Sequence, residues 1–190
     1  MQVPLFPLNT VLFPGGPLPL RIFEPRYIDM ISERMKTEAP FGVLLIRDGH
    51  EAGPATTFEV GTLARITDWY QGSDGLLGVT AVGEQRFRLL SAERQPDGLN
   101  IGEIELLPPE PKLELGAEFA HLPEILDAVI DDLGKLYEGL EKDMRDATWL
   151  SYRFMEILPI DLVHKQESLE SDDTHARLRL IAELLESVRK

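Results

Sequence analysis

The 190-residue chain has no cysteine, which excludes disulfides, thiolate-held zinc and a cysteine nucleophile. It is also short of cations: 19 Lys and Arg stand against 33 Asp and Glu, a net charge of -14 at pH 7. Such a surface disfavours tracking a nucleic-acid backbone, because phosphates are neutralised by Lys and Arg. The first twenty residues hold no charged side chain, yet Pro4, Pro7, Pro14, Pro17 and Pro19 would repeatedly break a spanning helix, and no basic segment precedes Arg21. The expectation is a mature soluble protein from Met1, with no membrane segment, in the reducing cytoplasm. Catalytic motifs are missing too. No GxxxxGK[ST] loop, GxSxG elbow, HExxH pair or DxDxDG loop occurs, and His50, His121, His164 and His175 are scattered. Neither an enzyme nor a cofactor or metal site is expected.

What is there is an ordinary globular mixture, 43% hydrophobic and 27% charged, in a length suited to one large domain or two small ones. Two compositions meet near Pro108, Pro109 and Pro111. Residues 1–107 carry 9 basic and 14 acidic side chains, net -5, and residues 108–190 carry 10 and 19, net -9. In the first segment, apolar or alternating runs predict six strands: Val3 to Phe6, Leu18 to Phe23, Phe41 to Arg47, Phe58 to Trp69, Leu76 to Leu90 and Leu99 to Leu107. Asp74-Gly75 and Asp97-Gly98 read as two-residue hairpin turns. Pro25 opens one inserted helix whose face would be Tyr27, Ile28, Ile31 and Met35, and the polar stretch Asp48 to Thr57 reads as a mobile loop.

In the second segment the spacing turns helical. Phe119, Leu122, Leu126, Val129, Leu133, Leu136 and Leu140 alternate steps of three and four, the seam of a long helix, widened by Ile125, Ile130 and Tyr137. Asp146 and Asp161 are placed to cap later helices, Pro159 to stop one, and a last helix would put Leu178, Ile181, Leu185 and Val188 on one face and end at Arg189 and Lys190. The fold class is therefore α+β, with a barrel of about six strands and one inserted helix over 1–107 and an α-helical bundle over 108–190.

The run Pro4-Leu5-Phe6-Pro7-Leu8, Val11-Leu12-Phe13-Pro14-Gly15, Leu18-Pro19-Leu20 and Ile22-Phe23-Glu24-Pro25-Arg26-Tyr27 resembles the N-terminal domain of the Lon ATP-dependent proteases. Phe41-Gly42-Val43, Val60-Gly61-Thr62-Leu63-Ala64 and Gly83-Glu84-Gln85-Arg86-Phe87-Arg88 continue the likeness in order. Leu158-Pro159, Lys165-Gln166, Leu169-Glu170 and Arg177-Leu178 carry it through the helical half. The resemblance implies a PUA-like pseudo-barrel followed by a helical bundle, a part of Lon that helps hold protein substrates. It implies none of Lon's chemistry, whose ATPase and Ser-Lys peptidase domains this chain does not contain. Cereblon-type proteins share a Lon-like domain, but their ligand pocket belongs to a zinc module that a cysteine-free chain cannot build.

The expected role is a non-catalytic binding module for unfolded protein or peptide segments, with a separate protease or chaperone as a working partner. Phe13 beside Pro14, and Trp69 with Tyr70 at a strand end, are the candidate exposed anchors. A polar patch of Glu24, Arg26 and Arg86 would stand beside Phe23 and Tyr27. The competing reading of that patch is structural: Glu24 serves a helix N-terminus and one arginine pairs with it. Two further readings are RNA binding by a PUA-like barrel, which the charge disfavours, and an oligomeric adaptor, a homodimer joined through the Phe119 to Leu140 stripe.

Overall fold

The computed structural model describes residues 1–188, and the chain divides into two compact units, Met1–Pro109 and Glu110–Lys190. The first unit holds β1 (Gln2–Leu8), β2 (Pro17–Ile22), α1 (Pro25–Thr37), β3 (Phe41–Gly49), β4 (Ala55–Thr57), β5 (Val60–Gln71), β6 (Leu77–Arg94) and β7 (Asn100–Leu106). Pairing is antiparallel except between β1 and β3. β1 pairs with β7 and with β3, so the run β1–β7–β6–β5–β3 returns to β1. Among the described residues β2 pairs with β6 alone.

β1 is buried at nearly every position because it lies between two strands and is covered on both faces, which is why it reads as an unbroken apolar run and not as an alternation. β2 shows the opposite pattern. Leu18, Leu20 and Ile22 are buried while Pro19 and Arg21 face solvent, the period of a half-buried strand. Phe6, Leu20, Ile22, Tyr27, Met30, Ile31, Phe41 and Val79 share one apolar cluster, in which the rings of Phe6 and Tyr27 stack with centroids 4.0 Å apart. A second cluster gathers Val3, Leu5, Leu44, Leu63, Phe87 and Ile104. Each such side chain contributes about 1.5–3 kcal/mol relative to an exposed one.

Three details differ from the sequence expectation. The hairpins at Asp74-Gly75 and Asp97-Gly98 have three-residue loops. Gly72 accepts from the N–H of Gly75 and donates its own to Leu76 O, and Gln95 does the same with Gly98 and Leu99. Gly75 and Gly98 close these loops at φ of +81° and +90°, a left-handed position that glycine adopts without a Cβ clash. Asp74 and Asp97 stabilise them by accepting from the N–H groups of Leu76 and Leu99. Residues 48–57, expected as a loop, form most of a further hairpin, with Asp48 and Gly49 of β3 paired to Thr56 and Ala55 of β4. β4 has no buried residue, so no apolar alternation marked it. Finally, α1 starts at Pro25 as expected, but Met30 joins Tyr27 and Ile31 on the buried face while Ile28 is exposed. A residue one step from Tyr27 lies about 100° round the helix, whereas the residue three steps on returns to its side.

The second unit contains α2 (Leu122–Leu133), α3 (Ala147–Ile157), α4 (Leu162–Glu170) and α5 (Thr174–Val188), with 3-10 turns at Ala117–Phe119 and Gly134–Tyr137. The long seam is therefore not one helix. α2 stops at Leu133, Gly134 takes φ +57°, and Leu133 and Leu136 are exposed. Phe119, Leu122, Leu126, Ile130 and Tyr137 are the buried members. The three-four spacing continued past Leu133, but Gly134 releases the backbone from the helix, and Leu136 beyond it is exposed while Leu140 is half-buried.

α3 is buried almost all round, from Ala147 to Met155, and so forms the centre of its unit. Asp146 caps it by accepting from Thr148 N–H, and Pro159 lies just past its end. Asp161 precedes α4 but takes His164 Nδ1 (3.1 Å) instead of a backbone amide. On α5, Leu178 and Ile181 are buried and Val188 is exposed. Arg189 and Lys190, expected to close that helix, lie outside the described residues.

Candidate functional site

The proline spacing of β2 shapes its surroundings. Gly83 donates its N–H to Gly16 O (2.9 Å), and the register continues as Pro17 opposite Val82, Pro19 opposite Thr80 and Arg21 opposite Gly78. In an antiparallel ladder bonded and non-bonded positions alternate. Residues 18, 20 and 22 therefore bond to β6, and residues 17, 19 and 21 turn their backbone groups to the free edge. Two of these are prolines, which cannot donate.

Beside that edge lies a cleft of about 400 Å³, walled by β2 and Phe23 on one side and by Phe6, Leu8, Asn9 and Thr10 on the other. Tyr27, Glu24 and Glu51 complete its lining. Glu51 is tied in place by accepting from Asn9 N–H (2.8 Å). Burial pushes the Tyr27 hydroxyl above the usual tyrosine range, with Glu24 and Glu51 adding to the rise and the Arg26 guanidinium opposing it. Phe23 stands at the rim, 61% exposed.

The candidate residues are distributed unevenly about this cleft. Phe23 and Tyr27 line it, the first at the rim and the second as buried wall. Arg26 is committed to structure. Its Nε donates to Glu24 Oε2 (3.0 Å), one terminal nitrogen donates to Gly98 O (2.7 Å), and its guanidinium covers the Tyr27 ring at 4.6 Å. Arg86 is buried and reaches Pro108 O, so it does not join Arg26 in an exposed patch. Phe13 is fully buried, which corrects its reading as an exposed anchor: an aromatic in a proline-flanked segment carries no mark of facing inward until the segment is folded against β5 and β6. Leu12 O beside it accepts from Thr62 Oγ1.

Trp69 and Tyr70 are both about half exposed, on opposite faces of β5. Trp69 shares a polar groove with Arg34, Glu38, Arg65 and Asp68. Tyr70 sits opposite Gly78, and its ring lies directly over that glycine, occupying the space a Cβ there would need. Through the shared partner Gly78, Tyr70 and Arg21 fall on one outer face of β2, β6 and β5. Arg21 and the two edge prolines were not among the sequence candidates. Their signal was present in the Pro-Leu-Pro-Leu alternation, which marks an edge strand.

Among the described residues no group of three or more His, Asp and Glu side chains is placed to hold a metal ion, and no helix is long and apolar enough to cross a membrane. The features together define an α+β domain with an apolar cleft at a proline-bearing sheet edge. Residues 2–187 match the model of the ATP-dependent protease La (LON) substrate-binding domain, and the chain belongs to that family. It is 32% identical to the Lon N-terminal domain protein from Xanthomonas campestris, whose crystal structure superposes with a TM-score of 0.77 over 96% of this chain and 98% of that one. It is also 26% identical over 196 residues to the Lon protease of Anaeromyxobacter dehalogenans, covering 99% of this chain and 23% of that protein. It is 29% identical over 130 residues to protein cereblon of Xenopus tropicalis, covering 64% and 28%. The chain thus spans about a quarter of the length of these curated relatives. It carries the substrate-binding domain and not the protease domain.

Proposed function

We propose that the chain is a non-catalytic module, working in the cytoplasm, that holds unfolded protein or peptide segments in the cleft beside β2. The observation that carries this reading is an apolar cleft of about 400 Å³ with a phenylalanine left 61% exposed at its rim. Exposed apolar surface in a concave setting is where an unfolded segment gains most by burying its own apolar side chains. The family finding supports a substrate of protein type, and the circuit of pairings through β1 supports the PUA-like pseudo-barrel reading of the sheet.

The other readings find less support. Arg21, Arg26, Arg34, Arg65 and Arg88 each stand against a carboxylate, so they do not present a free cationic face to RNA. The stripe offered for a homodimer is broken at Gly134.

Titration of a fluorescently labelled, permanently unfolded polypeptide against the protein tests the proposal by anisotropy. Saturable binding is expected, weakened about fivefold or more by Phe23→Ser, the loss that follows from removing roughly 1 kcal/mol of apolar contact. No binding at tens of micromolar protein, or binding indifferent to Phe23→Ser, would overturn it.

A further inference from the structure

The proposed function leaves the path of the bound chain open, and the edge chemistry of β2 bears on it. A segment lying along β2 as an added strand would meet the carbonyls of Pro17, Pro19 and Arg21 but only the one N–H of Arg21. Two of the three donors on that edge are missing, and loss of ladder donors is one way edge strands are kept from pairing. Crossing the strands offers more. Phe23, exposed at the rim of the cleft, directly follows β2, and on the outer face the Tyr70 ring lies over Gly78 of β6, the neighbour of Arg21. Strands are about 4.8 Å apart and an extended chain advances about 3.3 Å per residue. The span from the β2 edge to the Tyr70 ring, one to two strand spacings, thus equals two or three residues of an extended chain.

The charges along this path also lean negative. Glu24 and Glu51 stand at the cleft, Asp74 faces Arg21, and Asp68 lies two residues before Tyr70 on an exposed strand end. Against these four carboxylates stand Arg21, paired with Asp74, Arg26, paired with Glu24, and Arg94, whose charge also reaches Tyr27. The remaining negative charge complements a basic segment and repels an acidic one.

We propose that the bound polypeptide crosses β2, β6 and β5 instead of extending the sheet, placing one apolar side chain at Phe23 and a second, two or three residues away, on the Tyr70 ring, with Lys or Arg favoured beside them. This rests on the cleft being the substrate site, and the test separates the two claims. Synthetic nine-residue peptides are titrated by calorimetry or anisotropy: one with Leu and Phe three apart among Lys and Ser, one with the second apolar residue changed to Ser, one with Lys changed to Glu, and one N-methylated at alternate backbone amides.

The first peptide is expected to bind about tenfold more tightly than the second and the third, and N-methylation is expected to change its affinity less than threefold. Tyr70→Ala, checked for folding by its melting curve, should weaken the two-site peptide to the level of the one-site peptide and leave the latter unchanged. Because the peptide series needs no altered protein, a misfolded variant does not leave the question unanswered. Equal binding of the one-site and two-site peptides, equal binding of the Lys and Glu peptides, or loss of binding on N-methylation overturns this inference while leaving the cleft as the site. If no peptide binds, the proposed function fails with it.

Discussion

The two units of this chain bury different things. The sheet unit closes over apolar clusters such as Phe6–Tyr27–Phe41 and Leu5–Phe87–Ile104, and most of its ion pairs are exposed. The helical unit encloses charge. Arg177 is 2% exposed, and its guanidinium donates to both oxygens of Glu110 (3.0 and 2.5 Å), to Ser151 Oγ and to Ser171 O. Tyr152 and Thr174 hydroxyls donate to the same carboxylate. Nearby, Arg153 binds Glu156 through two nitrogens, and the Tyr137 hydroxyl donates to Glu156 as well. One unit is thus held by shape and apolar area, the other in large part by matched polar groups that have no solvent to fall back on.

The sharpest way to break that contrast is Arg177→Met. It leaves the Glu110 carboxylate buried without its main counter-charge, and a loss of about 3–5 kcal/mol is expected, read by urea unfolding followed in the far-ultraviolet. Pairing it with Glu110→Leu should recover much of the loss, because two apolar groups leave nothing unsatisfied. If the single substitution shifts stability by less than about 1 kcal/mol, the network is an ornament of the bundle and the contrast dissolves.

A second comparison uses the phenols. Burial raises Tyr27 in the sheet unit and Tyr137 in the helical unit above the ordinary tyrosine range, and Tyr137 is raised further by the Glu156 carboxylate beside it. A phenol that holds its proton in the folded state, while the unfolded chain gives it up near pH 10, makes folding less favourable as pH rises from there to its folded pKa. The slope is about 1.4 kcal/mol per pH unit for each phenol. Chemical unfolding between pH 9 and 11.5 should show stability falling, with Tyr27→Phe flattening the loss in one unit and Tyr137→Phe in the other. A pH-independent midpoint across that range would contradict both assignments.

The smallest effect concerns the end of α1. Glu38 follows that helix at φ +53°, the left-handed region where a side chain is strained and glycine is the usual occupant. Glu38→Gly should stabilise the sheet unit by roughly 0.5–1 kcal/mol, seen as a higher urea midpoint at unchanged slope, with no change in the helical unit.

Much of this architecture was legible in advance where the signal is local. Pro25 opens α1, Asp146 caps α3 and Pro159 follows its end; glycine after aspartate marks both hairpins, since each device acts within four residues. Ile22 to Tyr27 and Gly83 to Arg88 carried the family likeness, and with it the α+β class. The failures were nonlocal. The heptad spacing from Phe119 to Leu140 could not reveal that Gly134 turns the chain, because the same leucines satisfy a helix or a helix followed by a turn. Phe13 looked available until the fold closed over it, and Arg26 and Arg86 looked like a patch until each found its carbonyl. The β3–β4 hairpin had no apolar face to announce it.

Order along the chain, then, determined most of the strands and helices, the ends that carry a local cap, proline or glycine signal, and the family they belong to. Spacing, caps and turns are short-range steric and hydrogen-bonding preferences written into neighbouring residues. Only the tertiary structure decided that Pro17 and Pro19 face an unpaired edge, that Arg21 and Tyr70 fall on one outer face, and that Glu110 meets Arg177 across 67 positions. Which groups meet and which stay in water depends on strand order and packing, and these emerge from the whole chain burying its apolar surface at once.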